Sequence, residues 1–282
     1  MLVSNLARSL ARTAAIGALH LAAKVPAASG LLPSAHLQRL VAIAGLPDLK
    51  YGGIYSQSTY APSNGDAEFQ RNFSVIRSHT LVDEYRCYEL WTLCGQLDSL
   101  EAGDILEIGV WRGGTGCLLA ARAAGSPGSG KVFLCDTFSG VVNAGGKDSA
   151  YVGGEHADTS RDLVAELAAR MRLSNVEVLE GIFPNGTGGS IADRRFRFCH
   201  IDVDVYESAA QSFAWVWPRL VPGGVVVFDD YGFYSCGGVT RLVDRMRGEP
   251  DRLVLYNING HAIVIKRALA KTEASSDHVA KA

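Results

Sequence analysis

Four aspartates follow two apolar runs of the sequence, and their placement suggests metal chemistry. Asp202 and Asp204 come after one run, and Asp229 and Asp230 come directly after the next. Carboxylates this close repel each other and raise each other's pKa unless a cation or hydrogen bonds offset the charge. A hard divalent ion such as Mg2+ suits an open site of two or three carboxylates. Solvated helix caps would explain one aspartate at each helix start but not a pair, so we predict a metal site.

A glycine-rich stretch follows an earlier apolar run and precedes a helical pattern. It reads Glu107-Ile-Gly109-Val-Trp-Arg-Gly113-Gly114. Glycines there let backbone N–H groups approach a nucleotide-like or amino-acid-like group at a helix N-terminus. Asp136 ends the next apolar run, where an acidic residue can bind both hydroxyls of a ribose. Together they predict an adenosine-type cofactor, either a dinucleotide or S-adenosylmethionine, although an ordinary turn and a helix cap use the same residue types.

Alternating strand and helix patterns position these residues. They predict an α/β fold with a mostly parallel, doubly wound sheet. The predicted strands are Ile105–Gly109, Val132–Cys135, Val176–Leu179, Phe196–Ile201, Val225–Phe228, Leu253–Ile258 and His261–Ile265. The predicted helices are Leu81–Leu97, Thr115–Ala124, Arg161–Arg172, Glu207–Leu220 and Gly238–Arg247. Asn259-Gly260 is a tight-turn signal, so the sheet is expected to end in an antiparallel hairpin.

Length, charge and cysteine content narrow the functional classes. The 282 residues suffice for one main α/β domain with additional segments. A formal net charge of -2 gives no basic field of the kind that nucleic acid binding requires, so that class of partner is set aside. The six cysteines lack CxxC spacing, which favours a reducing, cytoplasmic location over a disulfide framework or a zinc site.

The N-terminal segment, residues 1–47, contains no Asp or Glu and is locally basic. Its apolar run is broken by His20 and Lys24 and is too short to span a bilayer, so we predict one or two amphipathic helices. Packing on the main domain or on a second subunit is one interpretation, and reversible membrane-surface contact is the other. The last residues, 268–282, have no apolar period and are predicted to form a flexible tail.

Several motifs together resemble the macrocin-O-methyltransferase type of class I S-adenosylmethionine-dependent methyltransferase, over residues 80–266. The motifs are Glu107–Gly114, Asp136-Thr-Phe-Ser-Gly140, Gly181-Ile-Phe183, Asp202–Ser208, Pro222–Gly224 and Asp229–Gly232. The resemblance implies a Rossmann-like, seven-stranded sheet of order 3-2-1-4-5-7-6 with an antiparallel last strand. We therefore expect an N-terminal helical extension (1–79), a methyltransferase domain (80–267) and the tail.

The resemblance also implies roles for individual residues. Glu107, Gly109 and the turn at Gly113 would line the methionine part of the cofactor, and Asp136 would bind its ribose. The segment from Gly181 to Phe183 would pass near the adenine.

The same resemblance assigns the metal to the aspartates. Asp202, Asp229 and Asp230 would hold it, with Asp202 also the candidate general base. Asp204 and Tyr206 are expected behind these ligands, because a strand continued past Asp202 returns Asp204 to the same side.

The insertion 140–158 does not follow the family's most specific patterns, and a loop at this position overhangs the active site. His156 within it is a candidate second base or substrate contact, although a lone loop histidine is more often neither. His200, within an apolar run, is expected to be a satisfied core histidine.

The expected reaction is methyl transfer to a hydroxyl of a sugar or phenolic small molecule, with a metal ion and a carboxylate activating the hydroxyl. Asp202-Val203-Asp204 is also a D-x-D motif, so a metal-dependent glycosyltransferase is an alternative. A nicotinamide dehydrogenase is disfavoured because its G-x-G-x-x-G motif requires a second glycine two residues after the first. After Gly109, the next glycine is Gly113. A non-catalytic, cofactor-binding assembly domain is the remaining alternative.

Overall fold

A computed structural model describes residues 58–126, 128–148 and 150–268. The predictions for residues 1–47 and for most of the tail lie outside these residues. The strands are β1 (Gly103–Ile108), β2 (Ser129–Asp136), β3 (Val176–Glu180), β4 (Phe196–Ile201), β5 (Leu220–Phe228), β6 (Arg252–Tyr256) and β7 (Ala262–Lys266). The helices are α1 (Ala67–Ile76), α2 (Glu84–Gln96), α3 (Gly114–Ala123), α4 (Arg161–Arg170), α5 (Tyr206–Val216) and α6 (Gly237–Asp244).

The seven strands form one sheet of order β3-β2-β1-β4-β5-β7-β6. Pairing is parallel from β3 to β5, and β7 is antiparallel to both β5 and β6. The predicted fold class and strand order are thereby confirmed. Each predicted strand and helix is present, with ends shifted by a few residues.

Apolar side chains fill both faces of the sheet because the central strands are buried on both sides. On one face, Ile201 and Phe228 pack with residues of α5 and α6. On the other face, Phe198 and Val227 pack with residues of α2 and α3. The alternation along β4 and β5 therefore determines which side chains can reach the helix α2.

Helices α1 and α2 begin at aspartate caps. The side chain of Asp66 accepts a hydrogen bond from Phe69 N, and that of Asp83 accepts from the backbone N–H groups of Tyr85 and Arg86. The Asp83 cap explains why α2 begins at Glu84 rather than at Leu81. Phe69 of α1 packs against the Trp91 ring of α2 at 6.1 Å between centroids.

The hairpin between β6 and β7 differs from the predicted two-residue turn. Residues 257–261 connect the strands, and Asn257 N donates to His261 O. The turn is longer because the Asn257 side chain accepts from Asn259 N at 2.6 Å and donates to Glu89 of α2. Among the described residues, no helix is both long and apolar enough to cross a membrane.

Candidate active site

The turn between β1 and α3 lies close to the end of β4. Gly109 has a φ of 81°, and a Cβ at this position would lie 1.7 Å from the Asp202 backbone oxygen. Gly113 also has a positive φ, 82°, immediately before α3. Glycine is required at Gly109 both for its conformation and for this close approach. The predicted cofactor turn and the predicted metal ligand Asp202 are therefore neighbours.

Asp136 holds that turn through backbone hydrogen bonds. Its Oδ2 accepts from Val110 N at 2.7 Å and from Trp111 N at 2.8 Å, and its Oδ1 accepts from Phe138 N at 2.8 Å. Trp111 and Phe138 have left-handed backbone angles, with φ of 46° and 52°. A carboxylate has about four acceptor positions, so a ribose hydroxyl would share oxygens that already order the turn.

Glu107 is fully buried on β1 beneath the same turn. Its Oε1 lies 2.8 Å from His200 Nδ1, and its Oε2 has no hydrogen-bond partner among the described residues. A Cβ on Gly116 of α3 would lie 2.4 Å from Oε2. The predicted role of Glu107 beside the cofactor would therefore depend on Oε2.

The segment predicted to pass near the adenine begins at the end of β3. Gly181 has a φ of 143°, and its N donates to Asp136 O at 2.8 Å. The Phe183 ring is buried and packs edge-on against Trp215 at 5.0 Å. Gly181 is thus adjacent to Asp136, whereas the Phe183 side chain belongs to the hydrophobic core.

The three predicted metal ligands converge at the ends of β4 and β5. Asp202, Asp229 and Asp230 each offer a carboxylate oxygen, and these atoms all lie within 4.8 Å of one another. Asp202 is half-buried, and the other two are buried. Burial, followed by the charge of Asp229, raises the pKa of Asp202, and burial followed by Asp204 and Asp202 raises the pKa of Asp230. Such a cluster favours a bound cation.

Asp229 differs from its neighbours because basic groups surround it. Arg86 Nη1 of α2 donates to Oδ2, and His261 Nε2 lies 2.8 Å from Oδ1. Burial alone would raise the pKa of Asp229, but His200, His261 and Arg86 hold that pKa well below its usual range. Asp229 is therefore a carboxylate in the folded protein.

Asp204 lies on the other side of Asp230. Its backbone N donates to Asp230 Oδ2 at 3.0 Å, and its φ is 63°. Its carboxylate contacts Cys236 Sγ at 3.9 Å and hydrogen-bonds with Tyr151. Asp204 thus links the aspartate cluster to the insertion 140–158.

Hydrogen bonds connect the insertion 140–158 to the rest of the domain. Asp158 accepts from Trp111 Nε1 at 2.8 Å and from Arg112 Nη2 at 2.6 Å, which connects the insertion to the glycine-rich turn. His156 is exposed with a φ of 63°, and its ring lies 6.0 Å from the Tyr151 ring. His156 lies beside Tyr151, which hydrogen-bonds with Asp204, and its role as a base or substrate contact stays a prediction.

Sequence reasoning missed three residues that contact the aspartates or their partners: Arg86, Glu89 and His261. Arg86 and Glu89 are three residues apart on α2, which is a helix-face spacing but not a chemical motif. His261 follows the turn signal Asn259-Gly260 directly, and this position predicts the start of a strand rather than a functional residue. Its partners come from elements distant in sequence.

Comparisons with known proteins find similar sequences and similar folds. Residues 76–256 match the family described as Macrocin-O-methyltransferase (TylF). An 8-demethyl-8-(2,3-dimethoxy-alpha-L-rhamnosyl)-tetracenomycin-C 4'-O-methyltransferase of Streptomyces olivaceus is 30% identical over 145 residues, which are 48% of this chain and 55% of that protein. Mycinamicin III 3''-O-methyltransferase of Micromonospora griseorubida is 28% identical over 171 residues, which are 56% and 66% of the two chains.

Demethyldecarbamoylnovobiocin O-methyltransferase of Streptomyces niveus is 28% identical, over 53% of this chain and 60% of that protein. The matched part therefore spans less than two thirds of these relatives' length. Among solved structures, the O-methyltransferase NovP has a TM-score of 0.57 at 22% identity, covering 68% of this chain and 83% of that one. The calicheamicin methyltransferase CalS11 has a TM-score of 0.54 at 16% identity, covering 76% and 98%. These two likenesses concern the fold.

Proposed function

Because this chain belongs to the macrocin-O-methyltransferase (TylF) family of S-adenosylmethionine-dependent methyltransferases, we propose that it methylates a hydroxyl of a small natural product. The observation that carries the proposal is the meeting of two sites at one edge of the sheet. Gly109 of the glycine-rich turn touches the backbone of Asp202, which belongs to the aspartate cluster. A methyl donor and an acceptor hydroxyl bound to these two sites would be neighbours, and positioning of this kind lowers the barrier to transfer.

The residues around the glycine-rich turn fit S-adenosylmethionine. Glu107 Oε2 is a buried acceptor without a partner among the described residues, and it suits the ammonium group of a methionine moiety. Asp136 retains acceptor capacity for a ribose hydroxyl. When bound, S-adenosylmethionine supplies a methyl carbon on a sulfonium sulfur that leaves with the bonding electrons.

The aspartate cluster fits a hard divalent ion, which we propose to be Mg2+. Asp202, Asp229 and Asp230 are the ligands in this proposal, since their oxygens converge within 4.8 Å and burial and neighbouring carboxylates raise the pKa of Asp202 and of Asp230. When bound there, the ion would supply a positive charge that lowers the pKa of a nearby acceptor hydroxyl. Asp202, the half-buried member of the cluster, accepts the proton that the acceptor oxygen loses.

A sugar or phenolic moiety with neighbouring hydroxyls is the proposed acceptor, because two such oxygens chelate a metal ion well. One relative carries a rhamnosyl group in its name, which supports a sugar hydroxyl as the first candidate. Tyr151 and His156 of the insertion would contact this acceptor. The family match favours methyl transfer over the glycosyltransferase and assembly-domain alternatives.

A labelled-methyl assay tests the proposal. The purified full chain, supplied with S-adenosylmethionine and a rhamnoside or a catechol, is expected to transfer the labelled methyl group to the acceptor. EDTA should abolish transfer, and added Mg2+ should restore it. Full activity of metal-free protein would contradict metal dependence. Titration that detects binding of UDP but not of S-adenosylhomocysteine would contradict methyl transfer itself.

Replacing Asp136 with Ala is expected to weaken S-adenosylhomocysteine binding measured by calorimetry. Hydrogen bonds to a charged group contribute about 1.5–3 kcal/mol each, and the change also releases the backbone of Val110, Trp111 and Phe138. Asp158→Ala is the matched control, because Asp158 holds Trp111 and Arg112 from the outside of the same turn. Unchanged affinity in a folded Asp136→Ala variant would contradict the cofactor assignment.

The remaining parts of the function concern partners and location. We propose a cytoplasmic enzyme acting on a small molecule, with no nucleic acid partner. Residues 1–47, outside the described structure, are proposed as a docking element for the main domain, for a second subunit or for an anionic membrane surface.

A further inference from the structure

A continuous row of acidic and histidine side chains crosses the sheet beneath the aspartate cluster. We call Glu107, His200, Asp229, His261 and Glu89 the acid–histidine row. His200 Nδ1 lies 2.8 Å from Glu107 Oε1, and His261 Nδ1 lies 2.5 Å from Glu89 Oε2. Asp229 stands between the two rings, with Oδ1 2.8 Å from His261 Nε2 and 3.8 Å from His200 Nε2. Both histidine side chains are fully buried.

Strand register explains why the row forms. Glu107 of β1 is paired with His200 of β4, two residues beyond Phe198, which faces α2 and α3. Asp229 follows Val227 by two residues, and His261 precedes Ile263 by two. Since side chains alternate along a strand, these four groups point to the face that α2 covers with Glu89.

The pattern of contacts is the one that metal-binding histidines make. A histidine that binds a metal through one ring nitrogen usually donates the other N–H to a carboxylate or carbonyl, which fixes the ring. Here each Nδ1 is held by a glutamate, and each Nε2 faces the same Asp229 oxygen. His200 Nε2 has no hydrogen-bond partner among the described residues although it is completely buried.

The spacing also suits one ion. His200 Nε2, His261 Nε2 and an Asp229 oxygen lie within 4.8 Å of one another. Tetrahedral ligands about 2.0–2.2 Å from a zinc ion are about 3.3–3.6 Å apart. The two distances to Asp229 Oδ1, 2.8 and 3.8 Å, lie on either side of this range.

We propose that His200, His261 and Asp229 bind a divalent first-row transition-metal ion such as Zn2+ or Co2+, which displaces the protons from the two Nε2 atoms into solvent. Two imidazole nitrogens with one carboxylate favour such ions, whereas Mg2+ prefers oxygen ligands. The site goes beyond the proposed methyl transfer and does not depend on it. It is distinct from the Mg2+ site, with Asp229 shared between them. Arg86 lies on the far oxygen of Asp229 and leaves Oδ1 to the histidines.

Metal retention tests the proposal without any activity measurement. The full chain is stripped with a chelator, dialysed with Zn2+ in excess Mg2+, and its metal content is measured. We expect one Zn2+ per chain in the wild type and in Asp230→Asn, and loss of that ion in His200→Asn and His261→Asn. His79→Asn, a histidine outside the row, is the control and should retain the ion.

Two results would overturn the site. One is a wild type that holds no more Zn2+ than the His200→Asn/His261→Asn double variant. The other is loss of Zn2+ in Asp230→Asn while both single histidine variants keep it, which would assign the ion to the oxygen ligands. If the histidine variants do not fold, the visible spectrum of Co2+ bound to the wild type tests for nitrogen ligands instead. Nitrogen ligation should change that spectrum from that of aqueous Co2+, and an unchanged spectrum would refute the proposal.

Discussion

Replacing Asp202 with Asn is expected to lower turnover by at least about 10²–10⁴-fold, the contribution typical of a general base. Asn retains an oxygen ligand but removes the negative charge and the ability to accept a proton. The metal site would weaken at the same time, because Asp202 is one of three converging carboxylates. Cofactor binding should change much less, since the Asp202 backbone, rather than its side chain, approaches Gly109. Single-turnover rates and S-adenosylhomocysteine titration measure the two effects separately.

Asp204→Asn is the matched comparison for this prediction. The Asp204 carboxylate meets Tyr151 and Cys236 rather than the centre of the cluster, so we expect about a 10–100-fold loss, as is typical for groups that hold metal ligands in place. If Asp204→Asn lowered turnover more than Asp202→Asn does, Asp204 would be the candidate general base and Asp202 the supporting residue. Normal turnover of Asp202→Asn would leave His156 as the candidate base.

The sheet and the aspartate cluster could be predicted from the sequence because both depend on local patterns. An apolar run of strand length indicates a buried strand, and parallel strands bring their carboxyl ends to one edge. Asp202 and Asp229 directly follow β4 and β5, which are neighbours in the sheet, so their meeting required no knowledge of the rest of the chain.

The surroundings of Asp229 could not be predicted in this way. They depend on β7 inserting beside β5 and on α2 covering one particular face of the sheet. These are long-range arrangements, and nothing within a few residues of Arg86 or His261 indicates them. We expect His200 to be a satisfied core histidine, and it is buried; its Nδ1 is hydrogen-bonded to Glu107, whereas its Nε2 lies 3.8 Å from Asp229 Oδ1.

The cofactor turn shows a different limit of sequence reasoning. Asp136 was predicted at the end of β2 because of its type and position, and it lies there. Its three backbone contacts arise from the left-handed conformations of Trp111 and Phe138, which neither residue type favours. A carboxylate that stabilises such conformations keeps the turn in a shape ready for a ligand. Binding and ordering of the turn therefore depend on the same side chain.

Replacing Arg86 with Met is expected to lower the free energy of unfolding by about 3–5 kcal/mol, which is the usual cost of removing one partner of a buried ion pair. The Arg86 side chain is 7% exposed and that of Asp229 is 5% exposed, so the remaining carboxylate could not be solvated. Met preserves most of the apolar volume of the side chain, which limits any cavity. Arg86 Nε also donates to Asp83 Oδ2 at 2.8 Å, and its guanidinium lies 5.0 Å from the centre of the Phe233 ring; both contacts would be lost.

Arg112→Met provides the control for Arg86→Met, because it removes the same charge from a pair that water reaches. The side chains of Arg112 and Asp158 are 35% and 63% exposed, and such pairs contribute about 0–1 kcal/mol. Urea unfolding of the two variants and the wild type gives the comparison. Equal losses in the free energy of unfolding would mean that the Arg86–Asp229 ion pair contributes no more than an exposed pair. The two histidines would then balance the charge of Asp229 without Arg86. A loss of the expected size confined to Arg86→Met would support a buried ion pair between Arg86 and Asp229, since it exceeds what the exposed contacts of Arg112 contribute.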